Sequence, residues 1–338
     1  MQKKLITLTE RDISTASDVV KHSNGFVKSP FGYFGSKQRL ANHIAQILPP
    51  HNAWVEAFCG SAAVTMAKKP AAIEIVNDAD SQIVNVFRQL RERSGELLRL
   101  LELTPYARQE FEESYKQTAD DELEQARRFL VASMMTVNGA IGSNGNGAKH
   151  SGFSYSQAYA RNGLEARVNR WNALPERLKK VVERLKSIRI EHRDARELFK
   201  MFLDRPATLV YLDPPYLMDR EHGYKIDAND KKFHEELLEM CCRAKCMVLI
   251  SGYDNPLYNS YLTNREGWKK VIIKTYTRDT KGKDLARTEI LWKNPAFVKA
   301  VSTGRVPIRL SATEKANYKV NPRRGTRIAS ASKVKSSG

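Results

Sequence analysis

The feature that most constrains this chain is an apolar run that stops at two prolines: Thr208-Leu209-Val210-Tyr211-Leu212, then Asp213-Pro214-Pro215-Tyr216. Apolar and β-branched residues in a short run bounded by Pro206 predict a strand covered on both faces. The two prolines fix φ and remove two backbone donors, so neither a helix nor a ladder can continue. The run therefore delivers a carboxylate, carbonyls with no local donor and a tyrosine ring to the carboxyl end of a strand. Open α/β sheets bind their ligands there.

An acid followed by Pro-Pro and an aromatic suits methyl transfer to an amino group on a planar ring. The exocyclic amine of adenine is a poor nucleophile because its lone pair is delocalised into the ring. Asp213 and the Pro214 carbonyl can each accept one amine hydrogen. Both bonds localise the lone pair, and both strengthen as positive charge develops on nitrogen. Tyr216 can stack on the base, worth about 1–3 kcal/mol. The plainer alternative is a proline turn that closes a strand, with Asp213 as a solvated turn residue.

The chain has 338 residues, enough for one large α/β domain with an insertion or for two domains. A net charge of +18 points to a polyanionic partner, with nucleic acid the foremost choice. Cys59, Cys241, Cys242 and Cys246 are too few and too clustered for a disulfide framework, so a reducing compartment is expected. No Cys-x-x-Cys pair is present, and no metal site is expected. The first 18 residues lack the apolar core of a signal peptide, and no stretch approaches a membrane span. The expectation is a soluble, cytoplasmic protein.

In chain order, residues 1–28 read as a polar, partly helical lead. Tyr33-Phe34-Gly35-Ser36-Lys37 follows, a Gly-containing turn whose lysine can meet a carboxylate; Ser36 can cap a helix over Lys37 to Leu48. Ala53 to Val64 reads as an apolar strand running into small residues and a helix. This pattern fits the first βα turn of a nucleotide-binding sheet. It lacks the Gly-Lys-Ser/Thr ending of a phosphate loop. A second strand, Ala72 to Val76, ends in Asn77-Asp78-Ala79-Asp80. Asp78 is placed to bond ribose hydroxyls, or one of the two aspartates caps the helix Ser81 to Arg93; both roles can coexist.

Residues 96–187 interrupt the βα alternation. Helical patterning covers Pro105 to Lys116 and Asp121 to Met135. Val137 to Tyr159 is rich in Gly, Asn and Ser, interleaved with Phe153, Tyr155 and Tyr159. Arg161, Arg167, Arg170 and Trp171 come next, on the start of a helix continuing through Leu185. Such a segment suits contact with DNA backbone and base edges; the alternative is a solvated linker before an ordinary basic helix. The sheet then resumes with Ile188 to His192, followed by Asp194 and a helix to about Leu203. After the Asp-Pro-Pro-Tyr turn come a helix over Lys231 to Arg243, a strand over Cys246 to Ile250 and a turn over Ser251 to Pro256. Lys269 to Tyr276 and Thr288 to Trp292 form an antiparallel pair. The tail from Gly304 carries nine basic residues and one acid. It is expected to be disordered and to tether nucleic acid electrostatically.

Four stretches in this order resemble the D12-type, Dam-like adenine-N6 DNA methyltransferases. They are Tyr33-x-Gly35-x-Lys37, Val55-Glu56-x-Phe58-x-Gly60, the Asn77-Asp78 strand end, and, after a long insertion, Asp213-Pro214-Pro215-Tyr216. The resemblance runs from about Pro30 to Asn294. It implies a Rossmann-like α/β sheet that binds S-adenosyl-L-methionine, formed by residues 29–95 and 188–300. A mainly helical target-recognition insertion, 96–187, would interrupt it, with an extension over 1–28 and a basic tail over 301–338. Carried over by motif, Tyr33 and Lys37 would contact the cofactor's methionine and adenosine portions. Phe58 and Gly60 would line it, Asp78 would hold its ribose, and Asp194 would sit near its adenine. Asp213 would lie next to the cofactor and, with Pro214, Pro215 and Tyr216, hold a flipped target adenine. Phe153, Tyr155, Arg161 and Arg170 are the candidate DNA contacts.

Two departures stand out: Ser36 where relatives often carry glycine, and Ala62 in place of a second glycine. The implied partner is double-stranded DNA, with single-stranded DNA also open, and the implied state a monomer or weak dimer in a bacterial cell, host- or phage-encoded. N4 of cytosine or adenine in RNA are alternative acceptors. An inactive DNA-binding relative is the alternative class, and the intact Lys37, Asp78 and Asp213 argue against it.

Overall fold

All five residues of Thr208–Leu212 are buried, as a strand covered on both faces requires. The computed structural model describes residues 7–8, 26–33, 35–115, 121–137, 152–156, 160–161, 163–217, 231–278 and 284–307. In chain order the strands are β1 (Thr7–Leu8), β2 (Ala53–Glu56), β3 (Ile73–Asn77), β4 (Ala160–Arg161), β5 (Leu164–Glu165), β6 (Ile188–Glu191), β7 (Thr208–Leu212), β8 (Met247–Gly252), β9 (Lys269–Arg278) and β10 (Asp284–Lys293). The main sheet has the order β1-β9-β10-β8-β7-β2-β3-β6. Strands β6, β3, β2, β7 and β8 are parallel; β10 runs antiparallel to both β8 and β9. From β2 the chain winds outward through β3 to β6, then returns to β7 on the other side and continues to β8. The direction of winding reverses between β2 and β7, and such a switch point opens a crevice at the carboxyl ends of the strands. This is the Rossmann-like α/β sheet expected from the sequence.

Several local expectations are corrected. The lead is not only an extension: Thr7 and Leu8 pair in parallel with Ile272 and Ile273 at the sheet edge. The helix expected over Lys37 to Leu48 is a 3-10 turn, Lys37–Arg39, followed by an α-helix, Ala41–Ile47. Ser36 does not cap it with its side chain, because its hydroxyl meets that of Ser61 at 2.8 Å. Strand β8 continues to Gly252, into residues expected as a turn, and Asn255 caps a short helix at Pro256–Tyr261. A further helix, Pro295–Thr303, runs past the expected start of the tail. Residues 308–338, most of that tail, lie outside the described residues.

The insertion is mainly helical, with helices Ser94–Leu103, Arg108–Glu113, Glu122–Met135, Ala166–Asn172 and Leu174–Leu185. Arg161, expected on the start of a helix, belongs instead to a two-stranded hairpin of β4 and β5 that turns at Gly163, φ +75°. Only a residue tolerant of the left-handed region closes so tight a turn without strain. Trp171 is buried and donates Nε1–H to the Thr104 carbonyl at 2.8 Å, so it serves the core.

One apolar cluster runs unbroken from Met66 and Val76, through Ile83, Phe87 and Leu90, to Leu130, Leu178 and Leu185 of the insertion. Beneath it lies an ionic tie. Glu74 on β3 meets Lys68 at 2.6 Å and Arg184 of Leu174–Leu185 at 2.5 Å, and all three side chains are buried. Arg184 also donates to the Thr65 carbonyl at 3.2 Å. Removing the central carboxylate would strand two cations in the interior. Glu74→Gln is therefore expected to destabilise the fold by about 3–5 kcal/mol, the usual effect of breaking a buried pair. Urea unfolding of the two proteins measures this, and a loss within experimental error would mean that water already reaches the triad.

Candidate active site

The loops after β2, β3 and β6 are tied together by one buried amide. Asn77 donates to the Ala57 carbonyl at 2.9 Å and to the Arg193 carbonyl at 3.1 Å, and accepts from the Arg193 N–H at 2.9 Å. Its own carbonyl accepts from Cys59 N–H at 2.8 Å. Within the loop after β2, Gly60 (φ +47°) and Ala62 (φ +51°) both adopt left-handed backbone. A Cβ on Gly60 would stand 3.3 Å from the Tyr33 ring, so a side chain there would push the ring back by a few tenths of an ångström. Ala62 holds a conformation that glycine favours, at a cost of about 1–2 kcal/mol.

The two aspartates after β3 divide their work. Asp80 caps the helix Ser81–Glu92, accepting from Gln82 N–H at 2.9 Å. Asp78 accepts from Gly60 N–H at 2.8 Å and from Asp80 N–H at 3.0 Å. Its carboxyl is raised to about 6, chiefly by burial, against the pull of those N–H bonds. Asp78 thus leans across the strand ends toward the β2 loop, leaving Asp80 to the helix.

Around these loops lies a cavity of about 360 Å³, inside the range of about 300–1,000 Å³ typical of small-molecule sites. Tyr33, Lys37, Phe58, Gly60, Asp78, Asp194 and Asp213 all line it, together with Pro215. Seven positions taken from separate sequence blocks thus converge on one chamber at the switch point. Asp194 is less free than its neighbours. It caps the helix Ala195–Lys200 through Arg196 N–H at 2.7 Å, and its carboxylate pairs with the Arg196 guanidinium at 2.6 Å.

Two of the lining residues that sequence reading did not place there bear on its chemistry. Phe233, on the helix Lys231–Arg243, meets Phe58 edge-on at 6.2 Å between ring centroids and lies under Arg196. Glu56 ends β2 inside the cavity wall; its Oε2 accepts from the backbone and hydroxyl of Thr65. Burial, only partly offset by those bonds, raises Glu56 to about 8. Glu56 was visible within its motif, but nothing in the motif says that its carboxyl faces the cavity.

Beside the chamber is a polar knot. Lys37 Nζ pairs with Asp213 Oδ2 at 2.8 Å and approaches Glu289 Oε1 at 3.5 Å. Ser251 donates to Asp213 Oδ1 at 2.7 Å. The Tyr216 hydroxyl reaches Asp213 Oδ1 at 3.1 Å and also bonds Glu289. One phenolic proton and one ammonium stand between two carboxylates. Burial raises Glu289 above the ordinary carboxylate range, with Lys37 opposing, and holds the Tyr216 phenol well above its own. Glu289, on β10, was not anticipated; it lies in a strand pattern with no motif around it. Tyr216 does not line the large cavity. Its ring packs edge-on against Tyr253 at 4.4 Å between centroids and borders a shallow crevice with Leu217, Gly252, Asn255 and Tyr258.

The four candidate DNA contacts fare differently. Phe153 is half-buried among Tyr106 and Phe111, with Arg108 over its face, so it belongs to an aromatic cluster. Tyr155 stacks outside it and is 56% exposed. Arg170 lies against Met134, its Nη2 at 3.6 Å from the sulfur. The Arg161 side chain lies outside what is described. Among the described residues no group of three or more His, Cys, Asp or Glu is placed to hold a metal, and no helix is long and apolar enough to cross a membrane.

Comparison with known proteins bears directly on this arrangement. The type II methyltransferase M1.LlaDCHI of Lactococcus lactis subsp. cremoris is 26% identical over 196 residues, a segment spanning 54% of this chain and 63% of that protein. Among solved structures, a candidate RNA methyltransferase from Pyrococcus horikoshii aligns over 84% of this chain and 97% of its own, at 8% identity and a TM-score of 0.36. The precorrin 8W decarboxylase of Methanobacterium thermoautotrophicum aligns over 80% and 97%, at 8% identity and a TM-score of 0.31. Both structures are too remote to bear on the chemistry. The sequence profile of the D12 class N6 adenine-specific DNA methyltransferases, by contrast, matches residues 33–277, from the Tyr33 block through the Asp-Pro-Pro-Tyr turn and into β9, and the chain belongs to that family.

Proposed function

We propose that this protein transfers a methyl group from S-adenosyl-L-methionine to N6 of adenine in DNA, acting as an adenine-specific, site-specific DNA methyltransferase. The observation that carries this reading is the carboxylate of Asp213 at the end of β7. It borders the large cavity on one side and joins Lys37, Ser251 and Tyr216 on the other. A ligand in the cavity and an amine at the Asp-Pro-Pro-Tyr turn would therefore meet at one carboxylate.

The cavity fits the cofactor. Acidic groups at Glu56, Asp78 and Asp213 suit its ammonium, sulfonium and ribose hydroxyls. The Phe58–Phe233 pair suits a purine ring, and Gly60 leaves the loop without a side chain. S-adenosyl-L-methionine, when bound, supplies an electrophilic methyl on sulfur. The chain's own residues do the rest by positioning and electrostatics. Asp213 and the Pro214 carbonyl would accept the two amine hydrogens, and the two prolines hold both acceptors still. Lys37 and Ser251 orient the carboxylate of Asp213. Tyr216 would stack on the base. The crevice beside it holds only about 10 Å³, so capture of a purine requires the Tyr216–Tyr253 pair to part. The base must leave the duplex, because pairing occupies its N6 edge. Phe153, Tyr155, Arg161 and Arg170 are the insertion residues proposed to meet the DNA. A cytoplasmic location follows from the substrate. Transfer of labelled methyl to duplex DNA, single-stranded DNA and RNA in parallel tests the reading; labelling of RNA alone would overturn it.

Two outcomes follow from the geometry. Asp213→Ala should lower turnover on the order of 10²–10³-fold, the scale of losing one preorganised electrostatic partner, and a fall of less than about tenfold in a folded variant would move the amine acceptor elsewhere. The second concerns pH. Burial raises Glu56 from its ordinary 4.5 to about 8, so the native protein keeps a proton there that the unfolded chain has lost. The stabilising contribution is complete below 4.5 and is lost as pH rises through about 8. A cationic ligand beside Glu56 favours its ionised form. Binding at neutral pH should therefore release a proton, and affinity should rise with pH between about 6 and 8. Calorimetry in buffers of different ionisation enthalpy measures the release. Glu56→Gln should abolish the part of it due to Glu56; equal release in both proteins would show that Glu56 stays away from the ligand's charge.

A further inference from the structure

Arginines of the helical layer are, for the most part, paired. Arg88 meets Glu122 at 2.6 Å, Arg93 meets Glu96 at 2.6 Å, and Arg127 meets Glu110 at 2.8 Å and Glu124 at 2.6 Å. One group breaks the pattern. Arg170, on the helix Ala166–Asn172, and Arg177, on the helix Leu174–Leu185, each bring an Nη2 to 3.6 Å from the same sulfur, that of Met134. Two guanidinium groups therefore converge on one methionine. Arg177 also donates to the Pro30 carbonyl at 2.8 Å. The Nε atoms of both arginines are buried with no hydrogen-bond partner.

Lys28 lies two residues before Pro30, whose carbonyl Arg177 holds. Its ammonium is pulled down first by burial, then by Arg177 and Arg170. Arg170 is lowered by burial and by Arg167, and Arg177 to about 10 by burial and by Arg170. Among the described residues no carboxylate pairs with Lys28, Arg170 or Arg177. Glu165, on the adjoining hairpin, accepts from Ser156 N–H at 2.6 Å. Cations gathered around one point, partly desolvated and holding unused donors, are unfavourable unless an anion joins them. The forked geometry of guanidinium matches the oxygens of a phosphate, which can accept from two arginines at once. Pro30, which Arg177 grips, lies three residues before Tyr33 in the cavity wall.

We propose that Lys28, Arg170 and Arg177 form a cradle for one phosphodiester of the DNA backbone, holding the strand that enters the site. This rests on the DNA-methylation reading. It also gives Arg170 a positioning role in place of the base reading that its sequence context allowed, because a phosphate contact carries no sequence information. The segment before the first motif block, through Lys28, thereby becomes part of the DNA surface.

The test is the salt dependence of binding, read by fluorescence anisotropy with labelled duplexes of unrelated sequence and without cofactor. Arg177→Gln risks the fold by removing the Pro30 bond, so the working variant is K28Q/R170Q, with its thermal melt as control. Its slope of log affinity against log salt should flatten by about 0.9 for each phosphate charge no longer neutralised. Affinity should fall on the order of tenfold for each cation removed, alike for every sequence. Arg170→Lys, made with native Lys28, should keep most of the slope, whereas a packing role against Met134 predicts no such rescue. An unchanged slope, a weakening that depends on sequence, or a weakening seen with RNA and absent with DNA would each overturn the proposal. Because the readout is binding, methyl transfer with an unchanged slope removes the cradle and keeps the methylation reading. A flattened slope in a protein that methylates no DNA does the reverse.

Discussion

Two carboxylates share one ammonium beside the carboxyl end of β7, and much of the site depends on that imbalance. Lys37 arrives from the first motif block, Asp213 from the proline turn and Glu289 from the antiparallel strand β10. A single cation cannot neutralise both acids in a desolvated place, so the Tyr216 hydroxyl is drawn in between them. The same bonds fix where the tyrosine ring can lie and thus what the crevice beside Tyr253 can admit. A change in the occupancy of Asp213 is therefore felt by an aromatic side chain that does not line the large cavity.

The sequence made the parallel part of the sheet legible because its strands carry their own punctuation. Pro206 and the Pro214-Pro215 pair bracket β7, and Asn77-Asp78 ends β3 within one residue of its expected limit. The cavity was legible for the same reason. At a switch point, ligand-facing residues sit at strand ends, where glycine, proline and acids leave a local trace. Glu289 and Phe233 left none. Each sits within an element, a strand and a helix whose patterns look ordinary, and each gains its meaning from a partner far away in sequence. Glu56 lay within a recognised block, but its neighbour Thr65 and its burial decide what that carboxyl does.

The insertion was legible in composition and much less so in detail. Its aromatic and basic residues look alike in sequence, but folding separates them: Trp171 and Phe153 turn inward and Tyr155 outward, while Arg170 joins other cations against Met134. Ser36 shows the same limit at short range. A serine before a helix caps it unless another hydroxyl competes, and Ser61, contributed by a loop 25 residues away, does so.

The Lys68–Glu74–Arg184 triad bears on how such proteins diversify. Arg184 belongs to the last helix of the insertion, whereas Glu74 and Lys68 belong to the sheet and the loop leading into it. An insertion borrowed from a relative would have to bring a cation at that position, or leave the Glu74 carboxylate with one partner fewer in the interior. The boundary between sheet and insertion, drawn by this tie, therefore does not fall where the helical pattern begins and ends. It falls inside the insertion, ahead of Leu174–Leu185, because this last helix is bound by charge to the sheet.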